Sequence, residues 1–199
     1  MKGDRRDFTK DAMHEDQLAD HPMEQFEQWL DEASANDLID ATAMTISTVH
    51  NNAPSSRIVY LRGMEGEILR FYTNYKSQKA IELADNPRVS VLFFWHELER
   101  QVRITGNCEK SAPEISDAYF KGRPRESRIG AWASDQSSPL ASREALEKRV
   151  QDLTKEFEGK EVARPEHWGG YDIHPETIEF WQGRKSRLHD RIRFEKKNG

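Results

Sequence analysis

What most restricts the fold of this chain is a change of hydrophobic period at Ala43. Before it, Pro22 opens a stretch with Met23, Phe26, Trp29 and Leu30 at i, i+3, i+6 and i+7, one apolar stripe that predicts a helix. From Ala43 on, the pattern is that of strands. Residues 43–49, 56–62 and 68–73 are three short β-rich runs, parted by His50-Asn51-Asn52-Ala53-Pro54 and by a turn over 63–66. Loops this short join only antiparallel neighbours, so the three form a meander. A short helix is expected over 77–84, stopped before Asn86-Pro87, then two longer strands over 88–95 and 99–108. Helices follow over 113–121, near 127–133 and over 143–157, and strands return at 170–173, 178–182 and 186–194. Many antiparallel strands with helices inserted late predict a β-rich α+β fold: a closed or split β-barrel with peripheral helices. The barrel domain is expected to span residues 22–199, after a polar, flexible segment over 1–21.

Composition narrows the class. Only 36% of the 199 residues are apolar, and the mean hydropathy is −0.90. That is little private core for a monomer of this size, which favours an oligomer. A net charge of −5 disfavours a coat for nucleic acid or anionic membrane, since both demand a basic excess. Cys108 is the only cysteine, no Cys/His spacing suits a metal, and no apolar run nears the ~18 residues of a membrane span. Residues 1–11 are charged throughout and lack the apolar core of a secretion signal, so a cytoplasmic protein is expected. GxSxG, HExxH and GxxxxGK[ST] are all absent from the sequence.

Several clusters instead ask for an anion. Arg187, His189, Arg191 and Arg193 alternate along an expected strand and would share one face. A solvated edge strand explains such a row too, but Phe180-Trp181-Gln182-Gly183 directly before it suits a flat aromatic ligand bearing phosphate. Arg57 and Arg62 bracket an apolar strand and fit phosphate at its rims, with snorkelling or ion pairing as the plain alternative. Their opposite parity requires a bulge, or a ligand wrapped round the strand end. Tyr119, Arg123 and Ser127 recur every four residues and could together hold a phosphate monoester. Ser77-Gln78-Lys79 opens a helix, where free N–H groups favour an anion and where a plain serine cap serves as well.

A longer set of motifs carries a resemblance. Arg57-Ile58-Val59-Tyr60-Leu61-Arg62, Phe71-Tyr72-Thr73-Asn74, Asn86-Pro87-Arg88-Val89-Ser90, Glu99-Arg100-Gln101-Val102, Ser127-Arg128-Ile129-Gly130-Ala131-Trp132, Gln136-Ser137-Ser138, Glu179-Phe180-Trp181-Gln182-Gly183 and Arg187-Leu188-His189-Asp190-Arg191 occur in order and resemble the pyridoxine 5′-phosphate oxidase family. The resemblance implies an FMN-binding split barrel, homodimeric with FMN at the interface. Such an enzyme oxidises pyridoxine or pyridoxamine 5′-phosphate to pyridoxal 5′-phosphate with dioxygen, releasing hydrogen peroxide. It assigns Arg57, Ile58, Val59, Tyr60, Leu61, Arg62, Tyr72, Thr73, Gln78, Lys79, Gln101, Gln136, Ser137, Trp181 and Arg191 to FMN. The substrate phosphate falls to Arg62, Tyr119, Arg123 and Ser127, and the ring to Arg187, Leu188 and His189. Arg187 and His189 are the expected catalytic pair, with His189 as proton acceptor, and Arg5 and Phe8 belong to a segment that closes over the substrate.

This chain departs from the family pattern in four places. Arg62 stands for a usual Lys, Gln78 for an Arg, and Phe8 for a Tyr; the sequence also stops at Gly199, before a closing Trp-x-x-x-Arg-Leu-x-Pro segment, and if that end is the natural one a poorly anchored last strand is expected. Other readings are a split-barrel FMN oxidase acting on another ring, as in phenazine pathways, and a non-catalytic binder of flavin or pyridoxal phosphate.

Overall fold

The computed structural model describes residues 7–36 and 40–197. Helix α1 (Pro22–Ala35) starts with Pro at its first position, and the His21 ring accepts a hydrogen bond from the Met23 N–H. Its stripe, Met23, Phe26, Trp29 and Ala33, is buried. Phe26 packs on Phe93 with ring centroids 5.0 Å apart, and Trp29 meets Phe180 edge-on at 5.2 Å.

Eight strands follow: β1 (Ala43–His50), β2 (Ala53–Tyr60), β3 (Gly63–Glu65), β4 (Ile68–Asn74), β5 (Arg88–Trp95), β6 (Arg100–Lys110), β7 (Trp168–Gln182) and β8 (Asp190–Glu195). The order across the sheet is β2-β1-β5-β6-β7-β4-β3, and β8 pairs with β7. Every pairing is antiparallel. The Arg62 N–H donates to the Arg70 carbonyl at 2.8 Å, which extends the β3–β4 ladder back to the end of β2 and curls the sheet so that β2 comes beside β4, as in a split barrel. Alternation fills its interior with Met44, Ile46, Phe71, Val91, Phe93, Ile104 and Phe180, all at most 1 % exposed.

Several expectations shift. The three-strand meander holds only for β1 and β2: β4 pairs with β3 and β7 rather than with β2, and the turn expected over 63–66 holds the short strand β3. The β1–β2 turn tightens to Asn51-Asn52, both at positive φ (50° and 60°), the two-residue hairpin that asparagine tolerates. Strand β2 therefore begins at Ala53 and admits Pro54, because an edge strand can spare an N–H. The strands expected at 170–173 and 178–182 form one fifteen-residue strand, β7. Its first half pairs with β4 and its second with β8, and its register on β6 shifts at Thr105/Gly106. Pro175 sits at that shift, where the ladder is already interrupted.

The expected strand over 186–194 starts only at Asp190, after a 3-10 turn, Lys185–Arg187, with Ser186 and Arg187 at φ 58° and 63°. Two successive left-handed residues cannot belong to a strand, so Arg187 and His189 leave the row and only Arg191 and Arg193 share its exposed face. Residues 7–21, part of the segment expected to be flexible, are tied to the barrel: Thr9 and Lys10 donate to Glu99, Asp11 pairs with Arg100, and the Met13 N–H donates to Asp190.

Helices α2 (Gln78–Asp85), α3 (Pro113–Gly122), α4 (Arg125–Ala133) and α5 (Arg143–Glu156) lie outside the strands. A second core of Phe120, Ile129, Val162 and Trp168 joins the last three to the barrel wall. None of the helices among the described residues is long and apolar enough to cross a membrane.

Candidate active site

Between β2, the end of β4, the start of α2 and the α3–α4 corner lies a cavity of about 940 Å³. It collects Arg57, Ile58, Val59, Tyr60, Arg62, Tyr72, Thr73, Gln78, Lys79, Tyr119, Arg123, Ser127, Gln136 and Ser137. Arg57 and Arg62 meet in it despite their parity because β2 ends at Tyr60 and the chain turns there. Leu61 does not line the cavity: its side chain, 4 % exposed, belongs to the barrel core.

One end of the cavity is built around Lys79. Its Nζ reaches only hydroxyls, Thr73 Oγ1 at 3.1 Å and Ser77 Oγ at 3.4 Å. Burial, helped by the Arg57 charge and opposed by Glu82, brings its pKa down to about 8. Ser77 therefore leaves its capping role, and its side chain makes no cap hydrogen bond. Arg57 donates to Thr48 Oγ1 (2.5 Å), Ser55 Oγ (2.6 Å) and Glu82 Oε2 (2.9 Å), while Gln78 Nε2 donates to Glu82 Oε1 at 2.9 Å. Glu82 was not among the expected site residues. Its position four residues after Gln78 on one helix is the signal that could have found it. Burial alone would raise its pKa, but hydrogen bonds from Thr48, Gln78 and Arg57 outweigh that and keep it ionised.

The other end is aromatic and cationic. Tyr72 and Tyr119 stack at 3.7 Å, and Tyr72 also stacks on Trp168 at 5.5 Å. The Arg123 guanidinium lies 4.6 Å over the Trp168 ring. Its Nη1 is buried without a hydrogen-bond partner, and burial lowers its pKa. An orphaned guanidinium N–H in a cavity wall beside Tyr119 and Ser127 calls for an anionic ligand. Gln136 lines the Lys79 end, its Oε1 accepting from Thr73 Oγ1 at 3.1 Å and from the Asn74 N–H at 3.4 Å. Trp168 too was missing from the sequence reading, because nothing in its local pattern points to a site.

The remaining expected residues form a second group that lines no part of this cavity. Trp181 and His189 lie 4.7 Å apart, and Phe8 meets them edge-on at 5.7 Å and 5.4 Å. The Arg184 N–H donates to His189 Nδ1 at 3.0 Å, so a neutral imidazole carries its proton on Nε2. Gln101, Trp181 and Arg191 are paired in register across β6, β7 and β8. Arg187 is exposed, Leu188 is 77 % exposed, and Arg5 lies outside the described residues. Strands β1, β5 and β6 separate β2 from β7, yet both groups touch one sheet face. Ile58, Thr45, Leu92, Arg103, Glu179 and Arg193 form a register row across it, and Gln101, Trp181 and Arg191 lie two residues along on the same face. On it Ile58 is 60 % and Phe94 51 % exposed, apolar surface of the kind that marks an interface.

A family model described as pyridoxamine 5′-phosphate oxidase matches residues 30–156. Another, described as the pyridoxine 5′-phosphate oxidase C-terminal dimerisation region, matches residues 168–199. The pyridoxine/pyridoxamine 5′-phosphate oxidase of Rubrobacter xylanophilus is 48% identical over 195 residues, 98% of this chain and 90% of that one. Its counterpart in Cupriavidus necator is 49% identical over 191 residues, covering 96% and 90%. Among solved structures, PhzG from Burkholderia lata, in complex with tetrahydrophenazine-1-carboxylic acid, superposes with a TM-score of 0.88 at 27% identity, covering 94% of this chain and 93% of its own. A pyridoxamine 5′-phosphate oxidase-related, FMN-binding protein from Nostoc punctiforme shares the fold, with a TM-score of 0.71 at 16% identity and coverage of 91% and 94%. The two family models follow each other in chain order, and relatives nearly half identical run along almost the whole length: this chain belongs to the pyridoxamine 5′-phosphate oxidase family.

Proposed function

We propose that this protein is a cytoplasmic, homodimeric FMN-dependent oxidase that converts pyridoxine 5′-phosphate and pyridoxamine 5′-phosphate to pyridoxal 5′-phosphate. The observation that carries the reading is a single cavity with two separate anion ends, Lys79 with Arg57 at one and Arg123 with Tyr119 and Ser127 at the other. Two phosphorylated molecules side by side, cofactor and substrate, need such a pair.

The residues fit FMN. A buried ammonium with only hydroxyl partners suits its phosphate, and the exposed side chains of Ile58 and Tyr60 offer apolar surface to its ring. When bound, FMN would supply the redox chemistry, a two-electron oxidation at the substrate's C4′ carbon with dioxygen as final acceptor and hydrogen peroxide as product. The chain's own task is orientation and charge. Arg62, Arg123, Tyr119 and Ser127 hold the substrate phosphate, and the Tyr72–Tyr119–Trp168 stack keeps that wall rigid. Arg187 and His189 address the ring. Because Nδ1 of His189 already accepts from the Arg184 backbone, its Nε2–H serves as a donor to the substrate rather than as the expected proton acceptor. Cavity and Trp181–His189 group stand apart in one chain, so a two-fold axis through the shared sheet face is what brings one subunit's cavity against its partner's Trp181–His189 group.

Aerobic incubation of FMN-loaded protein with each vitamer phosphate, followed at the aldehyde's absorbance, tests the assignment. Both should yield pyridoxal 5′-phosphate; no product from either overturns it. The likeness to PhzG favours a second reading, oxidation of an unphosphorylated fused ring. The hydroxyls of Tyr119 and Ser127 beside Arg123 weigh against it, because two hydroxyls with a guanidinium match the three oxygens of a phosphate rather than the two of a ring carboxylate.

A further inference from the structure

Glu99 stands outside the residues assigned above. It is 1 % exposed and left-handed (φ 55°), between β5 and β6. Its carboxylate Oε2 accepts the backbone N–H groups of Thr9 at 2.7 Å and Lys10 at 3.0 Å. Its own carbonyl accepts the Gly183 N–H at 2.8 Å and Gln182 Nε2 at 3.3 Å. One residue thus grips the N-terminal segment on one side and the end of β7 on the other. Phe8, next to the gripped amides, rests on that end of β7. A Cβ on Gly183 would come within 2.7 Å of Phe8 Cγ, so only glycine leaves room for the ring where it lies, edge-on to Trp181 and His189. Asp7 reaches the same turn, its Oδ1 accepting the Ser186 N–H at 3.3 Å.

We infer that Glu99 is a positioning residue of the active site: by holding Thr9 and Lys10 it sets Phe8 against Trp181 and His189 and so completes one wall of the substrate's ring pocket. Charge-assisted bonds to two successive amides fix the direction of the segment as well as its place. The role in substrate binding rests on the proposed function; the latch itself does not.

The test uses full-length, FMN-loaded protein. In the wild type the Thr9 and Lys10 amides exchange slowly with deuterium, and Glu99→Ala speeds both by about ten-fold or more. The same variant raises KM for pyridoxine 5′-phosphate by about ten-fold, with kcat within about two-fold, and Glu99→Gln, which keeps an acceptor oxygen, falls between. Thr9→Pro removes one donor at an exposed position and raises KM without touching the interior, so the idea stays testable if Glu99→Ala fails to fold. In a Phe8→Ala background, Glu99→Ala adds nothing further to KM. Fast amide exchange in the wild type, an unchanged KM, or equal KM increases with and without Phe8 would each overturn the inference. Exchange needs no turnover, so a protein that shows the protected amides yet oxidises neither vitamer overturns the proposed function and leaves the latch standing.

Discussion

At the scale of single residues, the phosphate end of the cavity is governed by one charge that titrates near neutrality. Lys79 has a pKa of about 8, depressed chiefly by burial, so below that pH it is the ammonium a phosphate needs and above it the amine. A phosphate monoester completes its second ionisation near about pH 6, so between about pH 7 and 9 the protein's side of the pair is what changes. FMN affinity is therefore expected to weaken as pH rises through about 8, by at most about ten-fold per unit, and Lys79→Met to abolish that slope. Fluorescence titration of FMN at a series of pH values checks it. Gln78 is the second lever. It donates to Glu82, which also holds Arg57, so the end carries two cations and one carboxylate. Gln78→Arg should tighten FMN binding by about three- to ten-fold in the same titration, less than a free guanidinium gives because Glu82 competes for it.

At the scale of elements, the long strand β7 carries the design. It serves β4 with one half and β8 with the other, and the shift at Thr105/Gly106 is the joint. Gly106 is essential to that joint: a Cβ there would lie 2.0 Å from the His174 carbonyl oxygen, and a backbone atom cannot swing aside. Gly106→Ala is expected to destabilise the protein by about 2–4 kcal/mol, read as a lower urea midpoint. Because β7 also presents Trp181, flavin affinity in the surviving folded protein should fall with it. The loop between β7 and β8 belongs to this scale as well. Its consecutive left-handed residues, Ser186 and Arg187, turn Arg187 and His189 away from the register that alternation predicts. Local strain of this kind is concentrated where a binding group must be aimed.

At the scale of the whole molecule, the proposed function rests on the shared sheet face, across which a partner's Trp181–His189 group would meet the cavity. Phe94 lies on it, 51 % exposed, in register with Gln101 and one strand further from Trp181. Phe94→Glu should convert a dimer to monomers in light scattering and weaken FMN binding by more than about ten-fold, since each cavity loses its partner's Trp181 and Arg191. A variant that stays dimeric would move the interface to another face. Much of this was legible in the sequence. Period, turn residues and the helical stripe are set by neighbours within a few positions, so α1, the β1–β2 hairpin and most strand positions along the chain could be read from the sequence, whereas the expected meander breaks at its third strand because β4 pairs with β3 and β7 instead of β2. The anion-seeking sets were visible for the same reason: Tyr119, Arg123 and Ser127 recur at a regular spacing, and Arg57 and Arg62 flank one apolar run. What no local pattern contains is which of these sets meet. Closure of the barrel joins Lys79 to Arg57 and Arg123 to Trp168, buries Glu82 beneath the first pair, and leaves Trp181 with His189 outside the cavity, at the far end of the strand that Trp168 begins. Those contacts link residues dozens of positions apart and depend on register, curvature and burial together, which only the folded chain decides.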